Sequence, residues 1–404
     1  LADPSNFRPL QRFMEQLIEN SKPPYTVLFL AGFSQIILWG GSYFILSVLS
    51  APIMQETGWS YQQVYGCLSL ALLISGLLLP AIGKLIQHTT QNYILHYAGI
   101  VMGIGLIIVG LATSYALFVL GWIVIGIGMG MGLYDALFAS LGKLFGGKAR
   151  KVIVWVTLIA SLAPSLSWPF TSFLLHELGW RHTCFTLAGI LMVGIYPLHK
   201  YIFRPVPPKV QVSAGGSISF RTPIFYLLLA NFTIGALITT GVVVHLIDIL
   251  RAKKIDMSTI LMIVAFLGPS QSAARTLEML IANRSAVEMA FISTFAMLLG
   301  IGLLFFHPSL ATIGIIIFGI GNGMRSVLRG TLPLSIYGPE QYPLVIGRLA
   351  RMPLIAQAAA PFIGGFMIQQ FGTTTYLCSL CALLLINLVL IRYIKSYELQ
   401  FQKS

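Results

Sequence analysis

Twelve runs of mostly apolar residues, each about long enough to cross a bilayer, follow one another through this chain with short connections between them. A helix needs about 20 such residues to span a hydrocarbon core of roughly 30 Å. Within that core every backbone N–H and C=O must find a partner in its own segment, so the pattern predicts an all-α polytopic membrane protein. The runs fall at 25–48, 61–81, 93–112, 115–140, 152–175, 182–203, 223–248, 258–281, 287–306, 310–337, 344–369 and 374–393. Only 9% of the residues are charged, against roughly 25% in a soluble domain. That composition excludes a soluble enzyme.

The one long polar connection, Arg204 to Arg221, carries RPVPPK and then SAGGS and reads as a flexible linker between two six-helix halves. The predicted organisation is an N-terminal segment at 1–24, a first half at 25–203, the linker at 204–222, a second half at 223–393 and a tail at 394–404. In the N-terminal segment Phe7, Leu10, Phe13, Met14, Leu17 and Ile18 recur at helical spacing among Arg8, Arg12, Glu15 and Glu19. Such a segment either lies on the membrane surface or forms a mobile tail. The apolar run near Tyr25 starts too deep to resemble a cleaved signal and is expected to be retained.

Basic residues are retained on the cytoplasmic side of a membrane. With both termini cytoplasmic, that side holds 18 of the 25 Lys and Arg, and the opposite side holds four, Arg181, Arg251, Lys253 and Lys254. The other three, Arg275, Arg325 and Arg329, fall inside spans. The formal charge of +13 therefore reports topology and is no argument for nucleic acid.

The halves repeat one another. Leu30-Ala31-Gly32-Phe33 in span one matches Leu229-Ala230-Asn231-Phe232 in span seven, at an offset of 199. Gly126-x-Gly128-x-Gly130-Met131 in span four matches Gly319-x-Gly321-x-Gly323-Met324 in span ten, at 193. Pro169-Phe170 with Gly179 matches Pro361-Phe362 with Gly372, at 192 and 193.

Twelve spans, a six-plus-six division and paired glycine-rich fourth and tenth spans resemble the major facilitator superfamily over residues 25 to 393. The resemblance implies two pseudo-symmetric halves rocking around a site lined by spans one, four, seven and ten. The family's GxxxDRxGRR-type loop is replaced by Gly83-Lys84-Leu85-Ile86-Gln87-His88-Thr89-Thr90-Gln91-Asn92, which keeps the glycine and loses the acid. Within the superfamily, Gly58-Trp59-Ser60, Ser75-Gly76-Leu77 up to Pro80, and Gly179-Trp180-Arg181 resemble bacterial relatives of the monocarboxylate porters. That resemblance implies organic anions moved with protons and an arginine of span eight near the solute, the position held by Arg275. The acid that precedes this arginine by four residues in the family is Gln271 here.

Charges inside a bilayer normally face a cavity or a partner. Arg325 and Arg329, four apart on span ten with Asn322 a turn earlier, suit a carboxylate through bidentate hydrogen bonds. The alternative is a structural role, such as pairing with Asp135 near the end of span four. Asp135 itself is read either as a titrating group beside Arg329 or as half of a permanent salt bridge. Arg275 and Glu278, three apart on span eight, are read as a gate lock or, for Arg275, as a solute ligand. Gln35, Trp39, Ser42 and Tyr43 recur along span one and offer a mixed aromatic and polar wall, with helix or lipid packing as the plainer role for the rings. His245 and Asp248 offer a pH-sensitive pair, a weak metal contact or, most simply, a hydrogen-bonded interfacial histidine.

Cys67, Cys184, Cys378 and Cys381 all lie in apolar runs, so neither a disulfide framework nor a metal site is expected. The glycine string of span four follows no strand and serves helix packing rather than nucleotide binding. No cofactor is implied. The predicted protein is a monomeric proton-coupled carrier of a carboxylate-bearing organic anion in a bacterial inner membrane, surrounded by lipid, and not an enzyme. Uptake or export of a carboxylate siderophore, multidrug efflux and a non-transporting receptor are the alternatives.

Overall fold

The computed structural model describes residues 25–88, 93–145, 149–203, 222–280, 285–306 and 308–401. The N-terminal segment and the linker lie outside the described residues, as does the end of the loop after span two. Among the described residues, ten helical segments are long and apolar enough to cross a membrane. Two of them, Val152–Ile202 and Arg351–Tyr397, each turn at a glycine with positive φ, Gly179 (φ 75) and Gly372 (φ 81), which makes twelve spans among the described residues. These are the glycines paired by the internal repeat, and a left-handed backbone is cheap only without a Cβ.

Alternation places the start of span one, the end of span six, the start of span seven and the end of span twelve at one end of the bundle. That end is called the termini end below and the other the far end. The last helix runs to Phe401, past the expected boundary at 393. Span eleven begins at Arg351 rather than 344, because Ala311–Leu349 is one continuous helix.

Several spans are broken near mid-membrane. Span one is two helices, Tyr25–Gly40 and Ile45–Thr57, parted at the Gly40-Gly41 pair. Span four parts at Leu133, between Tyr115–Gly132 and Tyr134–Phe145. Span eight parts at Phe266, between Met257–Ala265 and Leu267–Leu280. Pro269 accounts for the last break, because proline cannot donate to the carbonyl four residues back, that of Ala265. The freed Ala265 carbonyl accepts a hydrogen bond from the Ser165 hydroxyl of span five at 2.6 Å. A local helix defect thus becomes a contact between halves.

Glycines set how closely the spans pack. A Cβ on Gly126 would lie 2.7 Å from Ala71 Cα, and one on Gly323 would lie 2.8 Å from Gln271 Cα, so spans two and four, and eight and ten, meet backbone to backbone. The repeat pairs Gly126 with Gly319 and Gly130 with Gly323, so the two crossings rest on the same repeated glycine string rather than on the same position within it.

Candidate functional site

At the far end the halves are tied by a network of side chains. Tyr61 and Tyr65, one turn apart on span two, both donate to the Asp248 carboxylate of span seven, Tyr65 at 2.7 Å. The Tyr61 hydroxyl also lies 3.2 Å from His245 Nδ1, and His245 Nε2 reaches the Pro361 carbonyl of span eleven at 3.1 Å. Ser47 of span one donates to the Val244 carbonyl at 2.9 Å, and the Phe362 N–H donates to Ser69 at 3.0 Å. His245 is fully buried, and Gly364 leaves room for it, since a Cβ there would collide with its Nε2.

Nearer the termini end, spans five and eight join the halves. Arg275 donates to the Thr157 carbonyl at 2.6 Å and to Ser326 of span ten at 3.1 Å. The hydroxyls of Ser161 and Ser272 meet one turn away. Asp135 of span four and Arg329 of span ten are both exposed and within Coulombic range of each other. Among the described residues they form no ion pair within 4.0 Å.

The two arginines of span ten have different surroundings. Arg325 is only 9% exposed and turns into its own half, donating to the Asn231 carbonyl of span seven at 2.5 Å and to Thr294 of span nine at 3.5 Å. Its guanidinium lies against Gly235, where a Cβ would overlap it. Helical spacing puts Arg325 and Arg329 on one side of a helix, yet their polar ends serve different regions. Asn322 is buried beside them and accepts from Thr239 of span seven at 3.0 Å.

Span one departs from the regular spacing expected of it. Gln35 remains on the first helix, fully buried, and donates to the Gly132 carbonyl at the break in span four at 2.9 Å. Trp39 packs on Tyr43 at 5.2 Å and on Tyr134 at 5.1 Å. Ser42 and Tyr43 sit in the break after Gly40, so they no longer follow the helical register of Gln35 and Trp39. The Tyr43 hydroxyl meets Thr240 of span seven, across the halves. Glu278 lies on the span-eight helix, but its side chain is outside the described residues.

Tyr61, Tyr65, Thr157, Ser161, Ser165 and Ser272 were not singled out from the sequence. Each is a neutral polar residue in an apolar span, and only its partner in the opposite half gives it weight. One signal was present: Tyr61 and Tyr65, and Ser161 and Ser165, are spaced four apart and so share a helix side. Among the described residues no three His, Cys, Asp or Glu side chains converge as a metal site would require.

The family model described as Major Facilitator Superfamily matches residues 29–347. No curated protein matches the chain in sequence. Among solved structures, a bacterial homologue of the human lysosomal transporter Spinster, inward-facing and unoccupied, is 15% identical with a TM-score of 0.66, over 94% of this chain and 97% of that one. The same description in an occupied conformation is 14% identical with a TM-score of 0.66, over 95% and 98%. At such identities the likeness speaks for the fold alone.

Proposed function

The chain belongs to the major facilitator superfamily, whose members are transporters and not enzymes, and from that premise we propose that it carries a carboxylate-bearing organic anion by alternating access, coupled to protons. The observation that carries the reading is Arg329, an exposed guanidinium of span ten with no carboxylate within 4.0 Å among the described residues. A planar, permanently charged donor is suited to a carboxylate. Asp135 supplies the coupling: within Coulombic range of Arg329, it competes with the solute anion for the same positive charge. When the anion takes Arg329, Asp135 loses its counter-charge and gains a proton.

The far-end network closes one side of the path, while on the other side Asp135 and Arg329 stay apart and the halves are joined through spans five and eight. The excess of basic residues there supports the reading that this end faces the cytoplasm, in a bacterial inner membrane. Arg275 acts as a latch between spans five and eight rather than as a solute ligand, because its donors are taken by Thr157 and Ser326.

The test is uptake into proteoliposomes under an imposed pH gradient, with simple carboxylates and ferric carboxylate chelates as solutes. Uptake of at least one, reduced tenfold or more in Arg329→Ala and uncoupled from pH in Asp135→Asn, is expected. Cation-specific flux would replace this reading by drug efflux. Tight binding without flux would replace it by a receptor.

A further inference from the structure

We infer that the far-end network is a proton-binding site, in which Asp248, Tyr61 and His245 share one proton that completes the closed contact between the halves. The argument is a count of hydrogens. His245 Nε2 must carry a hydrogen to donate to the Pro361 carbonyl at 3.1 Å, because two bare acceptors would repel. A neutral imidazole then has a bare Nδ1, which faces the Tyr61 oxygen at 3.2 Å. Tyr61 has one hydroxyl hydrogen and two acceptors in reach, Nδ1 and the Asp248 carboxylate. With Asp248 ionised and His245 neutral, one of those contacts has no hydrogen in it.

A single added proton removes the deficit in either of two ways. A protonated Asp248 donates to the Tyr61 oxygen, which passes its own hydrogen to Nδ1. Alternatively Tyr61 donates to the carboxylate and a protonated imidazole donates from both nitrogens. The two forms differ only by sliding hydrogens along Asp248, Tyr61 and His245, so the proton belongs to the network rather than to one residue. Tyr65 stays a donor to Asp248 in both, and its oxygen can accept from Ser50, 3.0 Å away.

The groups around the site are few. Arg251, one turn on in span seven, approaches Asp248 Oδ1 at 3.6 Å from an exposed position and favours the ionised acid. Tyr376 of span twelve packs edge-on against the His245 ring at 5.8 Å, with Tyr43 of span one behind it. Span eleven contributes the Pro361 carbonyl. Among the described residues no other ion pair reaches Asp248 or His245.

Opening the far end takes span two away from Asp248 and His245, so the shared proton loses the network that holds it. The open form therefore lacks the proton that the closed form holds. Closure takes up a proton, is favoured as pH falls and is lost as pH rises. For one proton the closed-to-open ratio changes by at most about tenfold per pH unit. The site is distinct from Asp135 and Arg329 and needs no solute, so its failure would leave the transport reading standing, and the reverse.

The experiment measures the far-end distance by spin labels at Thr113→Cys and Ala252→Cys, both exposed, in the full chain with Cys378→Ser, reconstituted in nanodiscs. In the otherwise native protein the closed fraction should fall as pH rises. Asp248→Asn decides the sign. Its amide can donate to both tyrosine oxygens, freeing the Tyr61 hydrogen for His245 and the Tyr65 hydrogen for Ser50, so no extra proton is needed. It should stay closed at every pH. A far end that opens in Asp248→Asn, or that keeps the native pH response, would overturn the inference. Tyr61→Phe, which cuts the relay, should abolish the pH response; an unchanged response there would overturn it as well, whatever the folding of the first variant.

Discussion

Arg275 of span eight donates to the carbonyl of Thr157 in span five at 2.6 Å, so a charged side chain of one half is held by the backbone of the other. A hydrogen bond from a charged donor contributes about 1.5–3 kcal/mol. Partial exposure of Arg275 places this one at the lower end. Arg275→Ala should lower the thermal midpoint of the detergent-solubilised protein, and Arg275→Lys should recover part of the loss. A midpoint equal to the native one in Arg275→Ala would remove the latch.

The contrast between Arg325 and Arg329 separates folding from binding. Arg325 is buried on the Asn231 carbonyl and Thr294, so Arg325→Ala removes charge-assisted bonds and leaves a cavity, at a cost of about 2–4 kcal/mol. Arg329 is exposed, and Arg329→Ala should stay within about 0.5 kcal/mol of native stability. Gly235→Ala should behave like the Arg325 variant, because the new methyl group occupies the place of the guanidinium. Denaturation in detergent, measured beside carboxylate binding, reads both quantities. Native stability in Arg325→Ala would return that residue to the solute path.

The spans were legible because a bilayer imposes one length on every crossing, and the repeat pointed to Gly179 and Gly372 as the turns. The breaks were less so. Pro269 is visible in the sequence, but that its unpaired carbonyl is taken by Ser165 depends on a contact 100 residues away in the chain. Charge in an apolar run was enough to single out Arg275, Arg325, Arg329 and Asp135 as candidates. Helical spacing could relate Arg325 to Arg329, yet not say that the first turns toward Asn231 in its own half. Tyr61 and Tyr65 gave no such signal, since tyrosine in a span is ordinary until a carboxylate from the other half is placed between the two hydroxyls.

Asp256 gives a pH prediction outside the spans. It caps the first helix of span eight, accepting from the Ser258 hydroxyl and from the Thr259 N–H at 2.9 Å. The Ser258 hydroxyl first, and then the Thr259 donors, hold its pKa at about 2, below the usual value of about 3.9. A folded value below the unfolded one means that the cap contributes fully above about pH 4 and fades as pH falls toward 2. Hydrogen exchange at the Thr259 amide should be protected at pH 5, and Asp256→Ala should lose that protection while Asp256→Ser keeps most of it. Equal exchange in native and Asp256→Ala proteins would show that the cap holds nothing.

The glycine string of span four can be tested for packing against nucleotide binding by where a methyl group is tolerated. At Gly126 the added Cβ would lie 2.7 Å from Ala71 Cα and 2.7 Å from its carbonyl oxygen, and at Gly323 2.8 Å from Gln271 Cα. Backbone cannot rotate aside as a side chain can, so the helices must separate, and overpacking of this kind costs about 1–3 kcal/mol. Gly142, farther along the same span, has nothing within 4 Å of a built Cβ. There alanine gains helix propensity of up to about 1 kcal/mol. Gly126→Ala and Gly323→Ala should therefore lower the thermal midpoint and Gly142→Ala should hold or raise it. Gly126 and Gly323 belong to the two repeated glycine strings at positions one turn apart, so both crossings should weaken if glycine sets them. A native midpoint in Gly126→Ala would mean that the helices do not meet at this residue.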